Sequence, residues 1–413
     1  MPTQLGKHFW PNFSFVFGLR LDYLSPTIYL TDIFIFLIFI AYFKKLSSQV
    51  KTTNKKYLIL FGLFLLTLLM GLMGAKNPLA GFYGILKFLE FSFLTFFIIQ
   101  NFKLLNKTII FWCFLTGIIF ESLLAFLQYF NQASINGIFY FFGERNFNAQ
   151  TPGIANASIN GQLFLRPYAT FSHPNALAGF LVVAMLYLLL ISSKGKQKIL
   201  LISIALGTLA LVLSLSRTAI FIWLIYLIVL FGVSLAEKYK KQFSKAKLLI
   251  VIFSTVIVLA ILLLIFQNSF VLQRFLSTKI FDESIVQRSE LVGQSFVMFQ
   301  KSPLLGIGIN NFYNNLSFSN SQLNFTLIQP VHNIFLLVLS ETGIIGVCVF
   351  LYVLWKTFVK TMQKQLQEKR RYLFLLVFSV VFLGLFDHYF LTIQQGQLLF
   401  SVVLGTTLAY KKE

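Results

Sequence analysis

The chain has 413 residues, of which 57% are hydrophobic, 17% aromatic and only 11% charged, with a formal net charge of +21. Its mean hydropathy is +0.79. A water-soluble domain of this length carries far more charge, so the composition excludes that class and points to repeated membrane spans. The lysines sit in separate short loops rather than in one tract, which argues against a nucleic-acid partner.

In chain order, Met1–His8 is too short for a cleavable leader, and Phe9–Leu19 reads as a broken or re-entrant first span. Apolar runs then predict spans at Pro26–Phe43, Tyr57–Leu72, Gly81–Gln100, Ile109–Tyr129 and Asn175–Ser192. Others follow at Leu200–Leu213, Thr218–Leu235, Leu248–Phe266, Val331–Leu354, Tyr372–Leu385 and Thr392–Tyr410. The expectation is an all-α polytopic membrane protein of about eleven or twelve transmembrane helices, read as a single membrane domain over residues 1–413. Cys113 and Cys348 fall inside spans, outside any CxxC pair, and read as structural thiols.

Lysine-bearing loops alternate with lysine-poor ones. The positive-inside rule puts Lys44–Lys56, Lys103–Lys107, Lys194–Lys198, Lys238–Lys247, Lys356–Arg371 and Lys411–Lys412 in the cytoplasm. The outer side then receives Gly74–Ala80, a first insert over 131–174, the turn Ser214–Arg217, a second insert over 267–330, and Phe386–Leu391. The second insert, the larger extracytoplasmic loop, is expected to contain a short helix. It starts near Asp282-Glu-Ser-Ile, with Asp282 or Ser284 as cap, presents Ile285, Leu291, Val292, Phe296 and Phe299, and stops at Lys301-Ser-Pro. Gly306-Ile-Gly308 reads first as a tight turn returning the chain to the bilayer, and second as backbone contact with a phosphate.

Of the eight arginines, only Arg370 and Arg371 fall inside; Arg20, Arg145, Arg166, Arg217, Arg274 and Arg288 fall outside, against the lysine bias. Guanidinium forks match phosphate oxygens and keep their charge in dry surroundings, which suits an anionic headgroup or diphosphate. The competing reading is local pairing with nearby carboxylates. Polar residues also enter membrane helices at His173-Pro-Asn175 and at His332-Asn333, where they are costly unless a site or network requires them.

The pieces RPYATFSHPNALAGF (Arg166–Phe180), LSLSRTA (Leu213–Ala219), Arg288 with PLLGIGINNF (Pro303–Phe312), and VHNIFLLVLSETGIIG (Val331–Gly346) together resemble the O-antigen ligase and polymerase family of bacterial envelope glycosyltransferases. The resemblance covers roughly Ile159–Thr357. Many relatives carry a tryptophan shortly after the arginine matched by Arg288, where this chain reads QRSELVGQSF. The resemblance implies a functional histidine and arginines in the second insert, an undecaprenyl-diphosphate-linked glycan as donor, inversion at the transferred sugar, and work at the outer face of the bacterial inner membrane.

The residues fit such chemistry. Fixed cations stabilise charge growing on a departing phosphate, each worth on the order of 3 kcal/mol, or about a hundredfold in rate. Arg217 and Arg288 are the expected clamps, with Arg166 third and Arg145 guiding the headgroup. His332 is the expected base for the incoming hydroxyl, and Asn333 is expected to orient the acceptor or cap the helix. His173 reads first as holding the outer loop to neighbouring helices, with Pro174 suited to the helix start, and second as a headgroup contact; Asn175 is expected to bind a backbone carbonyl or the pyrophosphate. Asp387-His388 borders the outer face. Glu341 lies about 13–14 Å along the helix from His332, too far to pair, and is expected to anchor another helix. Lys87 and Glu90, at i,i+3 spacing, are expected to neutralise each other.

No short-spaced ligand group stands out among the four histidines, so neither metal nor cofactor is expected. The reading is a metal-independent, inverting membrane glycosyltransferase. Its acceptor is a glycan, lipid A-core or another hydroxyl, which leaves ligase and polymerase open. Membrane lipids and envelope-assembly proteins are the other expected partners. A transporter or flippase of lipid-linked glycans, or a structural part of envelope assembly, are the alternatives. A flippase presents polar groups through the membrane depth, whereas the candidates here gather toward one face.

Overall fold

The computed structural model describes residues 2–159, 162–192, 194–239, 283–317, 328–363 and 369–410. Within them the chain is a multi-pass helical protein, with six helices long and apolar enough to cross a membrane. Ten of the eleven apolar runs read as spans coincide with helices. These are α1 (Leu30–Thr52), α2 (Lys55–Met73), α3 (Pro78–Asn101), α4 (Lys107–Asn131), α5 (Pro174–Ile191), α6 (Gln197–Leu213), α7 (Arg217–Tyr239), α9 (Ile334–Thr361), α10 (Lys369–Gly384) and α12 (Gln394–Ala409). The run Leu248–Phe266 lies outside the described residues. Between spans sit α8 (Glu283–Lys301) and the single turn α11 (Tyr389–Thr392).

Phe9–Leu19 is not a broken span. It forms a 3-10 turn at Asn12–Ser14 and a tight hairpin of β2 (Phe15–Val16) with β3 (Leu19–Arg20), while β1 (Gly6–His8) pairs antiparallel with β4 (Thr27–Tyr29). The physical reason is local: Pro11 starts the 3-10 turn, and Phe17 and Gly18 both take positive φ, which reverses the chain where a helix would continue.

The helix starts follow the capping chemistry of their sequences. Asn54, Asn77, Asn106 and Asn333 each accept amide hydrogen bonds at the first turns of α2, α3, α4 and α9. Pro78 and Pro174 occupy first-turn positions where no amide is needed.

The helices divide into two compact units. One holds residues 2–5, α4 to α7 and α10 as far as Leu383. Its centre is α5, apolar all round and buried along nearly its whole length. Gly207 of α6 lets that helix approach Met185 of α5 closely. The Tyr226 hydroxyl of α7 hydrogen-bonds Leu375 O at 3.1 Å and pairs with Ser379 Oγ at 2.8 Å, tying α7 to α10.

The other unit holds β1 to β4, α1 to α3, α8, α9, α11 and α12. Lys87 of α3 donates to Asp32 Oδ2 of α1 at 2.6 Å, to Glu90 Oε2 at 2.9 Å and to Gln394 Oε1 of α12 at 3.2 Å. The Lys87–Glu90 pairing expected from spacing is present, and Asp32 and Gln394 extend it to three helices. Lys87→Ala is expected to cost about 3–5 kcal/mol, because two carboxylates then face each other with little water. The check is a lowered unfolding midpoint in detergent, partly restored by adding Asp32→Asn.

At one end of this unit Leu21, Leu24, Leu291, Met298, Tyr313, Val331 and Leu337 form a buried cluster, with Tyr23 and Leu391 packed against it. It gathers the segment before α1, α8, the following loop and the start of α9. Of the apolar surface read from sequence, Leu291 is buried and Val292 packs on the cluster, but Phe296 is exposed, and the buried stripe of α8 is Leu291, Ser295 and Met298. The stripe runs i, i+4, i+7, so helical geometry rather than hydrophobicity alone selects it. The helix ends at Lys301, as Ser302-Pro303 requires; the side chains of Asp282 and Ser284, the expected caps, lie outside the described residues.

Candidate functional site

The sequence-derived candidates fall into two groups, one in each unit. In the unit built on α5, Arg166 stands just after the hairpin of β5 (Asn156–Ile159) and β6 (Gln162–Leu165). Its Nε donates to Ser214 O at 2.8 Å and an Nη donates to Asn175 Oδ1 at 2.7 Å. Arg166 therefore ties the approach to α5 to the α6–α7 turn, where Leu215 adopts φ 52°. That turn delivers Arg217 as the first residue of α7, with its side chain exposed. His173 caps α5: its Nδ1 accepts the Asn175 amide at 3.1 Å, which leaves the ring proton on Nε2.

The loop before Arg166 is organised from within. Glu144 accepts from Gln128 Nε2 at 2.7 Å and from the amides of Ile135 and Asn136 at 2.8 and 2.7 Å. This buried carboxylate is engaged by amides, and the exposed Arg145 is carried beside it. Tyr168 accepts the Ala155 amide at 2.7 Å, and burial pushes its phenol up from the usual value.

In the other unit, His332 sits two residues before α9, in the chain just after Val331 of the buried cluster. Asn333 Oδ1 accepts the amides of Phe335 and Leu336 at 2.9 and 3.0 Å, and its Nδ2 donates to Leu385 O at 3.1 Å. Of its two expected roles, the geometry displays the cap. The Leu385 link also brings the start of α9 to the Phe386–Leu391 segment.

That segment supplies what the sequence reading left out of its site. Asp387 Oδ1 lies 3.5 Å from His332 Nδ1, with both side chains largely buried. His388 has its ring centroid 5.0 Å from that of His332, and its Nδ1 pairs with Thr392 Oγ1 at 2.6 Å. Asp387 Oδ1 also accepts the His388 amide at 2.8 Å, which fixes the carboxylate. His332 and Asp387 are 55 positions apart, so spacing alone gives no sign of the pair; the signal was Asp387-His388 returning to the same end as His332. Ligand-type atoms of His332, Asp387 and His388 lie within 4.8 Å of one another, a grouping able to hold a metal ion. The sequence missed it because no two of its members except the adjacent pair are close in the chain.

Arg288 lies on α8, exposed and one turn before Leu291 of the cluster. The loop after α8 is held by α9. Ile307 and Gly308 donate to Ser340 O and Glu341 O at 3.0 Å each, and the Phe312 amide donates to Glu341 Oε1 at 3.2 Å. Glu341 thus anchors a loop, not a helix, because α9 itself breaks at Gly343 (φ 64°) and opens its backbone to the incoming chain. Gly306 and Gly308 both take positive φ, the conformation of the tight turn expected there.

A search of curated proteins found no match to the chain. The family model described as O-antigen ligase matches residues 201–351, a span that runs from α6 through Arg217, Arg288 and His332 into α9. Over that span the chain is similar to the O-antigen ligase family.

Proposed function

We propose that the protein transfers a glycan from undecaprenyl diphosphate to an acceptor hydroxyl at the outer face of the bacterial inner membrane, with His332 as the base. The observation that carries this is the His332–Asp387 pair in a chain whose residues 201–351 are similar to that family. A carboxylate facing Nδ1 favours the tautomer with its proton there, and Nε2 is then the acceptor. A separation of 3.5 Å is long for a hydrogen bond, as catalytic pairs often are before substrate binds.

The step balances simply. The acceptor oxygen gives its proton to His332 Nε2 and forms a bond to the anomeric carbon. The bond from that carbon to the diphosphate oxygen breaks, and its electron pair leaves with the lipid diphosphate. One displacement inverts the anomeric centre. Arg288 and Arg217 are assigned to the negative charge that grows on the leaving group. Arg145, with Arg166, His173 and Asn175, is assigned to the headgroup. Arg166 and Asn175 act partly by holding each other and the turn before Arg217.

Arg217→Ala and Arg288→Ala are each expected to lower kcat about a hundredfold, read in single-turnover assays. Either variant turning over normally at saturating substrate would remove that arginine from the proposal. The transfer is proposed to be metal-independent: purified protein is expected to keep its activity in EDTA, and loss restored by a divalent ion would reassign His332, Asp387 and His388 to metal binding.

The experiment that separates ligase from polymerase supplies purified protein with defined undecaprenyl-diphosphate glycans and a lipid A-core acceptor, with mass spectrometry of the products. Lipid-linked dimers identify a polymerase, and glycosylated lipid A-core a ligase.

A further inference from the structure

We infer that the aromatic cluster beside His332 is a saccharide subsite that reads hydroxyls of an uncharged acceptor sugar through the phenols of Tyr313 and Tyr389. What the sugar is used for rests on the transfer reading; that it binds does not.

Tyr313 is 2% exposed and Tyr389 is 3% exposed, and neither hydroxyl has a hydrogen-bond partner among the described residues. A buried donor without an acceptor is costly, and the few such groups in a folded protein ask for a reason. Each phenol is an O–H group able to donate to, and accept from, a ligand hydroxyl.

The surroundings favour a neutral ring. Tyr23 stacks on Tyr313 with centroids 5.3 Å apart and meets His388 edge-on at 5.8 Å, and His388 is 5.0 Å from His332. Aromatic faces with a few convergent polar tips are the usual lining of a small-molecule site. Tyr23, Tyr313 and Tyr389 come from three distant segments, and the buried cluster that includes Tyr313, with Tyr23 and Leu391 packed on it, brings those segments together.

The test is equilibrium binding to the full chain in nanodiscs, using neutral oligosaccharides that end in a hexose, an N-acetylhexosamine or a deoxyhexose. At least one is expected to bind saturably. Tyr313→Phe and Tyr389→Phe, which remove only the oxygen, are each expected to weaken that Kd about tenfold without lowering the unfolding midpoint. Tyr23→Ala is expected to weaken it and Tyr23→Trp to restore it. No binding to the wild-type chain, or Kd values unchanged in both Phe variants, overturns the subsite. Binding that depends on the tyrosines with no covalent product in the transfer assay keeps the subsite and defeats the transfer reading instead.

Discussion

His332→Ala is expected to lower kcat for glycan transfer about a thousandfold, the middle of the range for a lost general base, equivalent to roughly 4 kcal/mol of barrier. The protein is expected to insert, fold and bind its donor as before. His332 precedes the first turn of α9, and the cap of that helix is Asn333, so removing the imidazole leaves the helix start intact. Asp387→Asn is expected to cost less, about tenfold to a hundredfold, because the amide still fills the space but no longer favours a proton on Nδ1. The pair of variants separates chemistry from architecture. A histidine that only held the α9 start would lower the unfolding midpoint and leave turnover per folded molecule unchanged.

Gly306→Ala is expected to destabilise the unit that carries His332 by about 2–5 kcal/mol, the sum of a left-handed backbone penalty and an overpacking cost. At φ +70° an added Cβ runs into the backbone of Glu341 and Thr342, which has no side-chain freedom to yield. The crowding is reciprocal: a Cβ added at Gly343, at φ +64°, would meet the backbone of Leu304 and Gly306. The two glycines let the loop after α8 lie against the break in α9, and Glu341 then takes the Phe312 amide. The same loop leads into Tyr313 of the buried cluster. A drop in the unfolding midpoint with a smaller folded yield is the expected reading, measured in detergent beside Gly293→Ala. Gly293 meets nothing within 4 Å and serves as the neutral control.

The spans were legible because a bilayer demands long apolar runs, and ten such runs became helices. Caps and stops were legible for the same local reason, as at Pro174 and Lys301. Phe9–Leu19 misled because short apolar strands and a short apolar span have the same composition; two residues at positive φ made the difference. Glu341 misled because its partner is a loop that reaches α9 only where Gly343 breaks the helix. The candidate site was legible only as single residues. His332 stood out as a polar group at a span boundary, and Arg166 and Arg217 stood out by charge. The partners were not legible: Asp387 meets His332, and Ser214 O meets Arg166, through tertiary packing with no periodic trace in the sequence.

A glycan transferase of the proposed kind breaks the bond between a glycan and its lipid diphosphate. The direct measurement is phosphorus NMR on purified protein in nanodiscs, with a defined undecaprenyl-diphosphate glycan and its acceptor. One free undecaprenyl diphosphate is expected for each new glycosidic bond, and almost none from His332→Ala. Donor that crosses the bilayer with its sugar–phosphate bond intact, at equal rates in wild type and His332→Ala, would contradict the transfer reading.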